Sequence, residues 1–371
     1  MSIEFNGGEF VCNRDGLNYQ SVLDDFKNAK QIRVLTYNIS KKNYSNVLID
    51  LLKKVPETVD LQIITNIPSR YKNYYNSYSG NKARETYKQN YTAYLDKLNP
   101  ENFESNPYVG FNFTNHAKII GTDNIVYIGS ANYSDESKDN IESGTLIRDK
   151  EFIKKLYDEV FPTIVDESTP YFDDDFNVLR LFIVSMEKKF SAWIHKFDEG
   201  LILENPYTKG RNIANTILFD LEDLYELSGD LDEISSLQAL IENTYTDDDD
   251  EYNDMIEEVK EQFEYINLDW MCDFVMIDSE FYDVIAYNGE EKSMEYLAEY
   301  PDAYDENLDY YMEKAMDRVS EEYEDMKSEI EKNVIYFYDE MNKIVKLLSD
   351  TYEKIIPFSK EWLKEKIDNT K

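Results

Sequence analysis

Residues 115–147 read NHAKIIGTDNIVYIGSANYSDESKDNIESGTLI, and this stretch decides the fold of the first half of the chain. Two short runs rich in β-branched residues flank turn residues at 121–124, a pattern typical of a strand, a turn and a returning strand. His116 and Lys118 are two residues apart, and successive side chains alternate across a strand. We therefore predict that the imidazole and the ammonium group share one face of the first strand.

The end of the returning strand adds a hydroxyl and a carboxamide to this face. They belong to Ser130 and Asn132 in the sequence Gly129-Ser130-Ala131-Asn132. Phosphoryl transfer requires a nucleophile in line with the leaving group and donors around the non-bridging oxygens. Gly129 has no Cβ, so the backbone there is able to come close to a phosphate. These residues together predict a site that binds a phosphodiester.

The same residues resemble the H-x-K-x4-D … G-S-x-N signature of the phospholipase D superfamily. The N-x-E that many members show follows, here as Asn140 and Glu142. The resemblance is strong over the motif and looser over residues 1–165, and it does not reach the rest of the chain. Five residues separate Asp123 from Gly129 where the family usually has six, so the hairpin turn is one residue tighter.

The resemblance implies a phosphodiesterase that needs no metal and no cofactor. In this superfamily one histidine attacks phosphorus and a second protonates the leaving oxygen. The chain has two histidines, and His195 is followed by Phe197 where the motif has its lysine. We interpret His195 as a structural residue on the partly buried face of a helix.

A two-fold homodimer would bring two copies of His116 into one site. By the resemblance, one copy forms a phosphohistidine and the other acts as general acid. Glu142 is expected to orient a histidine, and Asp123 to brace the hairpin of the site. The residues assigned to catalysis are His116, Lys118, Asp123, Ser130, Asn132 and Glu142.

Hydrophobic periodicity predicts two domains. Over residues 1–168 strands alternate with helices, which predicts an α/β phospholipase-D-like domain with a mixed sheet flanked by helices. Residues 169–371 read as an all-α acidic domain with a regulatory or partner-binding role. Its last helix, 308–355, has a mean apolar spacing of about 3.6 residues, and Pro357 is predicted to end it. The predicted strands are 32–39, 59–64, 109–113, 117–120, 125–128 and 145–147, and the predicted helices of the first domain are 44–54, 85–98 and 152–161.

The formal net charge of −37 belongs almost entirely to the second half. Residues 1–165 hold 20 Lys and Arg against 21 Asp and Glu, which leaves 19 against 55, a net of −36, for residues 166–371. Such an acidic module would be repelled by an anionic membrane. Because the two cysteines form no motif and no apolar stretch is long enough to cross a bilayer, we predict a cytoplasmic protein with no membrane partner.

One local feature favours nucleic acid as the substrate. Residues 70–94 carry a net charge of +4 and seven interleaved tyrosines. Cations bind phosphates and aromatic rings stack on bases in grooves that hold nucleic-acid strands. A loop and an exposed helix face in a tyrosine-rich protein explain this composition equally well. The residues assigned to substrate binding are Gly129, Arg70, Lys72, Lys82, Arg84 and Lys88.

The sequence thus predicts a homodimeric nuclease of a bacterial host-defence or restriction type. The acidic helical domain is expected to cover the basic groove or to bind a partner protein. Two alternatives stay open: a phospholipid or other small phosphodiester hydrolase or transferase, and a binding or assembly protein on a catalytic-looking scaffold.

Overall fold

The structure is a computed structural model. It describes residues 2–5, 7–39, 47–67, 91–172, 176–204, 210–214, 216–244, 250–300 and 307–369. The chain divides into two compact units. The first holds the described residues up to Ser185 and the chain end from Ile355, and the second holds those of Met186–Lys354. The domain boundary expected after residue 168 stays a prediction.

The first unit is built on a mixed sheet, to which the described residues contribute nine strands. In chain order these are β1 (Ser2–Phe5), β2 (Gly8–Asn13), β3 (Gln31–Thr36), β4 (Asp60–Thr65), β5 (Tyr108–Phe111), β6 (Ile119–Thr122), β7 (Val126–Gly129), β8 (Glu142–Ile147) and β9 (Thr169–Pro170). Their order across the sheet is β1-β2-β8-β7-β6-β3-β4-β5-β9. The pairs β3–β4 and β4–β5 are parallel, and the other pairs are antiparallel.

These strand directions bring distant parts of the sequence to one edge of the sheet. Strands β3, β4, β5 and β7 run one way, whereas β6 and β8 run the other. The carboxyl ends of the first four therefore meet the amino ends of β6 and β8. We call this edge the motif edge, because both halves of the hairpin motif reach it.

Helices α1 (Gln20–Asp25), α2 (Val47–Lys53), α3 (residues 91–98), α4 (Lys150–Lys155) and α5 (Phe161–Asp166) belong to this unit, with one π-helical turn at Leu156–Val160. The segment from α4 to α5 packs on the sheet, and each large apolar side chain buried there contributes about 1.5–3 kcal/mol. This arrangement confirms the predicted mixed sheet flanked by helices. The packed side chains are Leu35, Ile64, Ile119 and Val126 from the sheet, and Ile153, Leu156, Tyr157 and Phe161 from the helical segment.

The second unit is helical, as predicted, with one small addition. Strands β10 (Ile202–Glu204) and β11 (Arg211–Ile213) form an antiparallel pair that the helical periodicity did not indicate. Phe197 anchors an aromatic core, with ring contacts to Phe219, Phe281 and Phe337. The helices are α6 (Asn177–Gly200), which begins in the first unit, α7 (Leu221–Ile234), α8 (Leu237–Glu242), α9 (Asp250–Glu264), α10 (Leu268–Val275), α11 (Glu280–Ala286), α12 (Gly289–Ala298) and α13 (Leu308–Asn369).

The predicted end of the last helix at Pro357 is wrong. Helix α13 contains Pro357 and continues to Asn369. Proline removes one backbone hydrogen bond to the carbonyl four residues earlier, and a long helix is able to absorb this loss without ending. No helix in the described part of the chain is both long and apolar enough to span a bilayer.

His195 is also placed differently from its prediction. Its side chain is 72% exposed on α6, and its Nε2 lies 3.3 Å from Glu199 Oε1, one turn further along. The interpretation of His195 as a partly buried residue is therefore wrong. The exposed position makes His195 a useful internal reference for His116.

Candidate active site

His116 and Lys118 lie together at the motif edge. Lys118 Nζ is 3.1 Å from His116 Nδ1 and donates a hydrogen bond of 2.5 Å to the His116 carbonyl. The imidazole is exposed, whereas Lys118 is only 8% exposed. Burial lowers the pKa of the Lys118 ammonium, and the nearby negative charge of Glu142 acts in the opposite direction. Both residues precede β6, which begins at Ile119, so the prediction that they share one face of a regular strand is wrong.

Asparagine side chains, not strand pairing, hold the segment that carries His116. Asn66 Nδ2 donates to the carbonyls of Phe113 (3.1 Å) and Asn115 (3.2 Å). Asn115 in turn donates to the Thr36 carbonyl at 2.8 Å and accepts from the Ala117 backbone N–H at 2.9 Å. Hydrogen bonds from side chains to the backbone hold an irregular segment in place, as the hydrogen bonds between neighbouring strands hold a strand. The imidazole is therefore presented from a braced loop.

Ser130 and Glu142 form the next part of the site. The Ser130 hydroxyl donates to the Glu142 carboxylate. The backbones of Ser130 and Ser143 are also tied, since Ser130 N–H donates to the Ser143 carbonyl at 2.9 Å and Ser143 N–H donates to Ser130 Oγ at 3.0 Å. Among the described residues Glu142 makes no hydrogen bond to His116. Its expected role in orienting a histidine stays a prediction.

Asn132 presents an amide donor at the same edge. Its Oδ1 accepts hydrogen bonds of 3.4 Å from Thr36 Oγ1 and from the Asn38 backbone N–H. Its own carbonyl accepts from the buried Tyr19 hydroxyl at 3.0 Å. With the amide oxygen occupied, Nδ2 has no partner among the described residues. An N–H₂ group held in this way suits a non-bridging phosphate oxygen.

Gly129 is required by packing. A Cβ at Gly129 would collide with the Tyr127 hydroxyl and the Ser143 carbonyl oxygen. The Tyr127 ring is buried across this position, where its hydroxyl donates to that carbonyl at 2.9 Å and accepts from Ala131 N–H at 3.3 Å. The tyrosine thereby supports the loop that carries Ser130. The approach of the Gly129 backbone to a phosphate stays a prediction.

Asp123 lies at the opposite edge of the sheet, away from His116. The two are separated by the whole of β6, about 13 Å at 3.3 Å per residue. Asp123 Oδ1 accepts from the backbone N–H groups of Lys30 (2.8 Å) and Gln31 (3.3 Å). Lys150 Nζ donates to the Asp123 carbonyl at 2.8 Å. The structure does not bring Asp123 into the candidate site, and these contacts are those of a residue that braces the hairpin.

We expect Asp123→Ala to lower the free energy of unfolding without changing the chemistry of the site. The substitution removes the acceptor of the backbone N–H groups of Lys30 and Gln31 at the start of β3, which costs about 0.5–1.5 kcal/mol for each hydrogen bond. Asp158→Ala removes an exposed carboxylate and serves as the control, with an effect of about 0.5 kcal/mol or less. Urea denaturation of both variants measures the difference, and equal midpoints would contradict the bracing role.

The predicted substrate-binding cations fall outside the described residues. Two tyrosines of the same predicted groove are described, and both are buried: Tyr91 is 3% exposed and Tyr94 is 1% exposed. Tyr91 packs on Phe113, and the Tyr94 hydroxyl bonds to the backbone of Ile39. The prediction that these two rings stack on bases is therefore wrong. The cations outside the described residues are Arg70, Lys72, Lys82, Arg84 and Lys88.

Tyr37 belongs to the site, although sequence reasoning did not assign it. Its ring centroid lies 4.6 Å from that of His116, with the planes at 47°. Lys118 Nζ lies 5.3 Å from the same ring centroid. Tyr37 directly follows β3, and β6 is antiparallel to β3, so the end of one strand meets the start of the other. The sequence feature that could have identified Tyr37 is the polar pair Tyr37-Asn38, which directly follows an apolar strand.

A comparison with known families identifies the domain that carries this site. Residues 22–163 match the family described as cardiolipin synthase, PLD-like domain. They form a phospholipase-D-like domain. It covers the mixed sheet from β3 to β8, and the acidic helical unit lies outside it.

Solved structures with some likeness to the chain include Nuc from Salmonella typhimurium, a phospholipase D family member. It is 17% identical, with a TM-score of 0.32, over 44% of this chain and 97% of that chain. NucT from Helicobacter pylori is 18% identical, with a TM-score of 0.28, over 44% and 99%. TrmBL2, an archaeal chromatin protein with a novel mode of DNA binding, is 13% identical, with a TM-score of 0.28, over 44% and 54%. TM-scores this low do not establish a common fold. No curated protein matches the chain.

The phospholipase-D-like domain therefore collects an imidazole and several hydrogen-bond donors at one edge. An exposed imidazole, an adjacent ammonium, a free amide N–H₂ and a hydroxyl–carboxylate pair lie within one network. In the described residues no group of three or more His, Cys, Asp or Glu side chains is placed to hold a metal ion. His116 is the one histidine in residues 22–163.

Proposed function

We propose that the protein is a phosphodiesterase, specifically a homodimeric nuclease that works through a phosphohistidine at His116. The observation that carries the proposal is the network at the motif edge. His116 and Lys118 are in direct contact, Ser130 and Asn132 follow β7, the other arm of the hairpin, and Glu142 at the start of β8 accepts from Ser130 and acts on the charge of Lys118. A role in host defence or restriction would follow from cleavage of foreign nucleic acid, and phage challenge of cells that express the protein tests it.

The proposed reaction has two steps that balance. In the first, a His116 ring nitrogen bonds to phosphorus while the bond from phosphorus to the leaving oxygen breaks, and His116 of the partner subunit gives that oxygen its proton. In the second, water attacks phosphorus, the P–N bond breaks, and the partner's His116 takes the proton of the water. Lys118 and the Asn132 amide bind the non-bridging oxygens, whose negative charge is greatest in the transition state.

The contact between Lys118 and His116 determines which ring nitrogen carries the proton of a neutral imidazole. A protonated Lys118 donates to Nδ1, so a neutral imidazole carries its proton on Nε2. That tautomer has no lone pair on Nε2 and would leave an imidazolate if it gave its proton away, so the general acid must instead be the imidazolium, with the Lys118 ammonium turned away from Nδ1 in that subunit. The nucleophile needs the other tautomer, with its Nδ1 proton held by an acceptor, and Glu142 is the carboxylate that we propose for this role in the dimer.

Charge supports nucleic acid over lipid as the substrate. A module with a net charge of −36 opposes approach to an anionic bilayer. The cationic, tyrosine-rich sequence around residues 70–90 offers charges for a phosphate backbone and rings for bases. The matching family is described in part as cardiolipin synthase, so a lipid substrate is the competing proposal and is tested alongside.

We further propose that the acidic helical domain competes with nucleic acid for the cations of the first domain, unless a partner protein engages it. At 0.1 M salt the Debye length is about 10 Å, so the attraction between exposed charges farther apart than this is largely screened. The nuclease rate of the intact protein should then rise before high salt weakens substrate binding. A rate that falls steadily from the lowest salt concentration would contradict this regulation.

We expect cleavage of nucleic acid to persist in excess EDTA, because the nucleophile and the acid are both imidazoles. The purified chain is incubated with EDTA and, in separate reactions, with plasmid, single-stranded DNA, RNA and labelled phosphatidylcholine. Cleavage of any nucleic acid supports the nuclease, and choline release alone supports the lipid alternative. Absence of turnover by a folded dimer would leave only a binding role.

A further inference from the structure

Tyr37 is placed against both the imidazole and the ammonium group of the proposed site. Its ring centroid is 4.6 Å from that of His116 and 5.3 Å from Lys118 Nζ. Aromatic rings at 4.5–7 Å attract each other by roughly 0.5–1.5 kcal/mol beyond their buried area. A cation within about 6 Å of a tyrosine ring is also attracted to it. One side chain thus contacts the two groups that the proposed reaction uses most.

The backbone on both sides of Tyr37 is anchored. The Thr36 carbonyl accepts from Asn66 N–H at 3.3 Å and from Asn115 Nδ2 at 2.8 Å. On the other side, Asn38 N–H donates to Asn132 Oδ1, and the Asn38 carbonyl accepts from Thr36 Oγ1 at 2.9 Å. The Tyr37 ring is therefore attached to a fixed point between β3 and the loop of His116. A ring on such a support is able to restrict the side chains that touch it.

The ring of Tyr37, and not its hydroxyl, makes these contacts. No hydrogen bond of the hydroxyl is found among the residues that the structure describes. Tyr37 is only partly buried, so its packing on His116 adds little to the core of the domain. Because the ring is half-buried and packs on His116, it contributes more to the geometry of the site than to the stability of the fold.

We propose that Tyr37 is a positioning residue, whose ring holds His116 and Lys118 in the geometry needed for in-line attack. The expected kinetic effect of Tyr37 rests on the proposed phosphodiesterase function. The contact of Tyr37 with His116 and Lys118 is independent of that function. The ring limits rotation of the imidazole and shields the Lys118 ammonium from water. It acts through His116 and Lys118, with no bond of its own to the phosphate.

Two substitutions separate the ring from the hydroxyl. Tyr37→Phe keeps the ring, so we expect its kcat to stay close to the wild-type value. Tyr37→Leu keeps apolar volume but removes the ring, and misplacement of a reacting group by about 1 Å costs on the order of 10²-fold in rate. We expect this loss in kcat, with a much smaller change in KM, since Asn132 still binds the phosphate. Equal kcat values for the two variants would overturn the proposal.

A second measurement does not depend on turnover. In full-length deuterated protein with protonated tyrosine and histidine, we expect a nuclear Overhauser effect between the His116 ring and a tyrosine ring, lost in Tyr37→Leu. With two histidines in the chain, exposed His195 serves as the reference. Absence of the cross-peak in the wild type would overturn the placement of Tyr37. A cross-peak without any phosphodiester cleavage would reject the proposed function and leave the contact established.

Discussion

Replacement of His116 by alanine is expected to abolish phosphodiester cleavage. In a symmetric dimer the substitution removes the nucleophile and the general acid together. Acid catalysis alone accounts for about 10²- to 10⁴-fold, so we expect a fall in kcat of at least about 10⁴-fold. The imidazole is exposed, so the loss of its ring contact with Tyr37 should lower the free energy of unfolding by no more than about 1.5 kcal/mol.

His195→Ala is the matched control for this prediction. The chain has these two histidines, and the side chain of His195 is 72% exposed on a helix of the acidic domain. We expect the control to cleave at the wild-type rate with a wild-type melting temperature. If the His116→Ala variant cleaved at more than about a tenth of the wild-type rate, the assignment of His116 as the nucleophile would be wrong.

Gly129→Ala is expected to have the largest effect on stability. The added methyl group would overlap the Tyr127 hydroxyl and the Ser143 carbonyl oxygen, which belong to a buried ring and a paired strand. Neither neighbour moves easily, so the free energy of unfolding should fall by about 3 kcal/mol or more, the upper end for an overpacked site. Urea denaturation measures the change.

Gly289→Ala provides a comparison for this glycine. Gly289 begins helix α12, and a Cβ there would lie 3.3 Å from the nearest side-chain atom, Val319 Cγ1. We expect a change of about 1 kcal/mol or less, because alanine favours a helix more than glycine does. Equal effects of Gly129→Ala and Gly289→Ala would show that Tyr127 does not restrict this position.

The hairpin motif was predictable because its information is local. Apolar runs on both sides of turn residues indicate two strands, and the structure has β6 and β7 paired there. The phospholipase-D-like fold followed from the same residues. Strands β1 and β2 were not predicted, since their apolar residues are few and some are exposed, such as Ile3 at 58% and Phe10 at 37%. Their pairing with β8 depends on contacts that no short window contains.

The supporting residues of the site could not be found from the sequence for a similar reason. Asn66 and Tyr37 each follow a strand, and only the sheet order places those strand ends beside the loop of His116. Asp123 shows the reverse case. It is near His116 in the sequence, yet the length of β6 puts it at the opposite edge of the sheet. Each residue of a strand adds about 3.3 Å along the strand axis, so residues that are close in sequence lie at opposite ends of a short strand.

The central claim, that two copies of His116 share one site, is tested most directly with mixed dimers. Wild-type and His116→Ala chains are co-refolded in known ratios, and the rate of DNA cleavage is measured in EDTA. If both imidazoles are needed, only dimers of two wild-type chains cleave, so an equal mixture should retain about a quarter of the wild-type activity. Retention of about half, with activity proportional to the wild-type fraction, would show that each chain acts alone and would contradict the shared site.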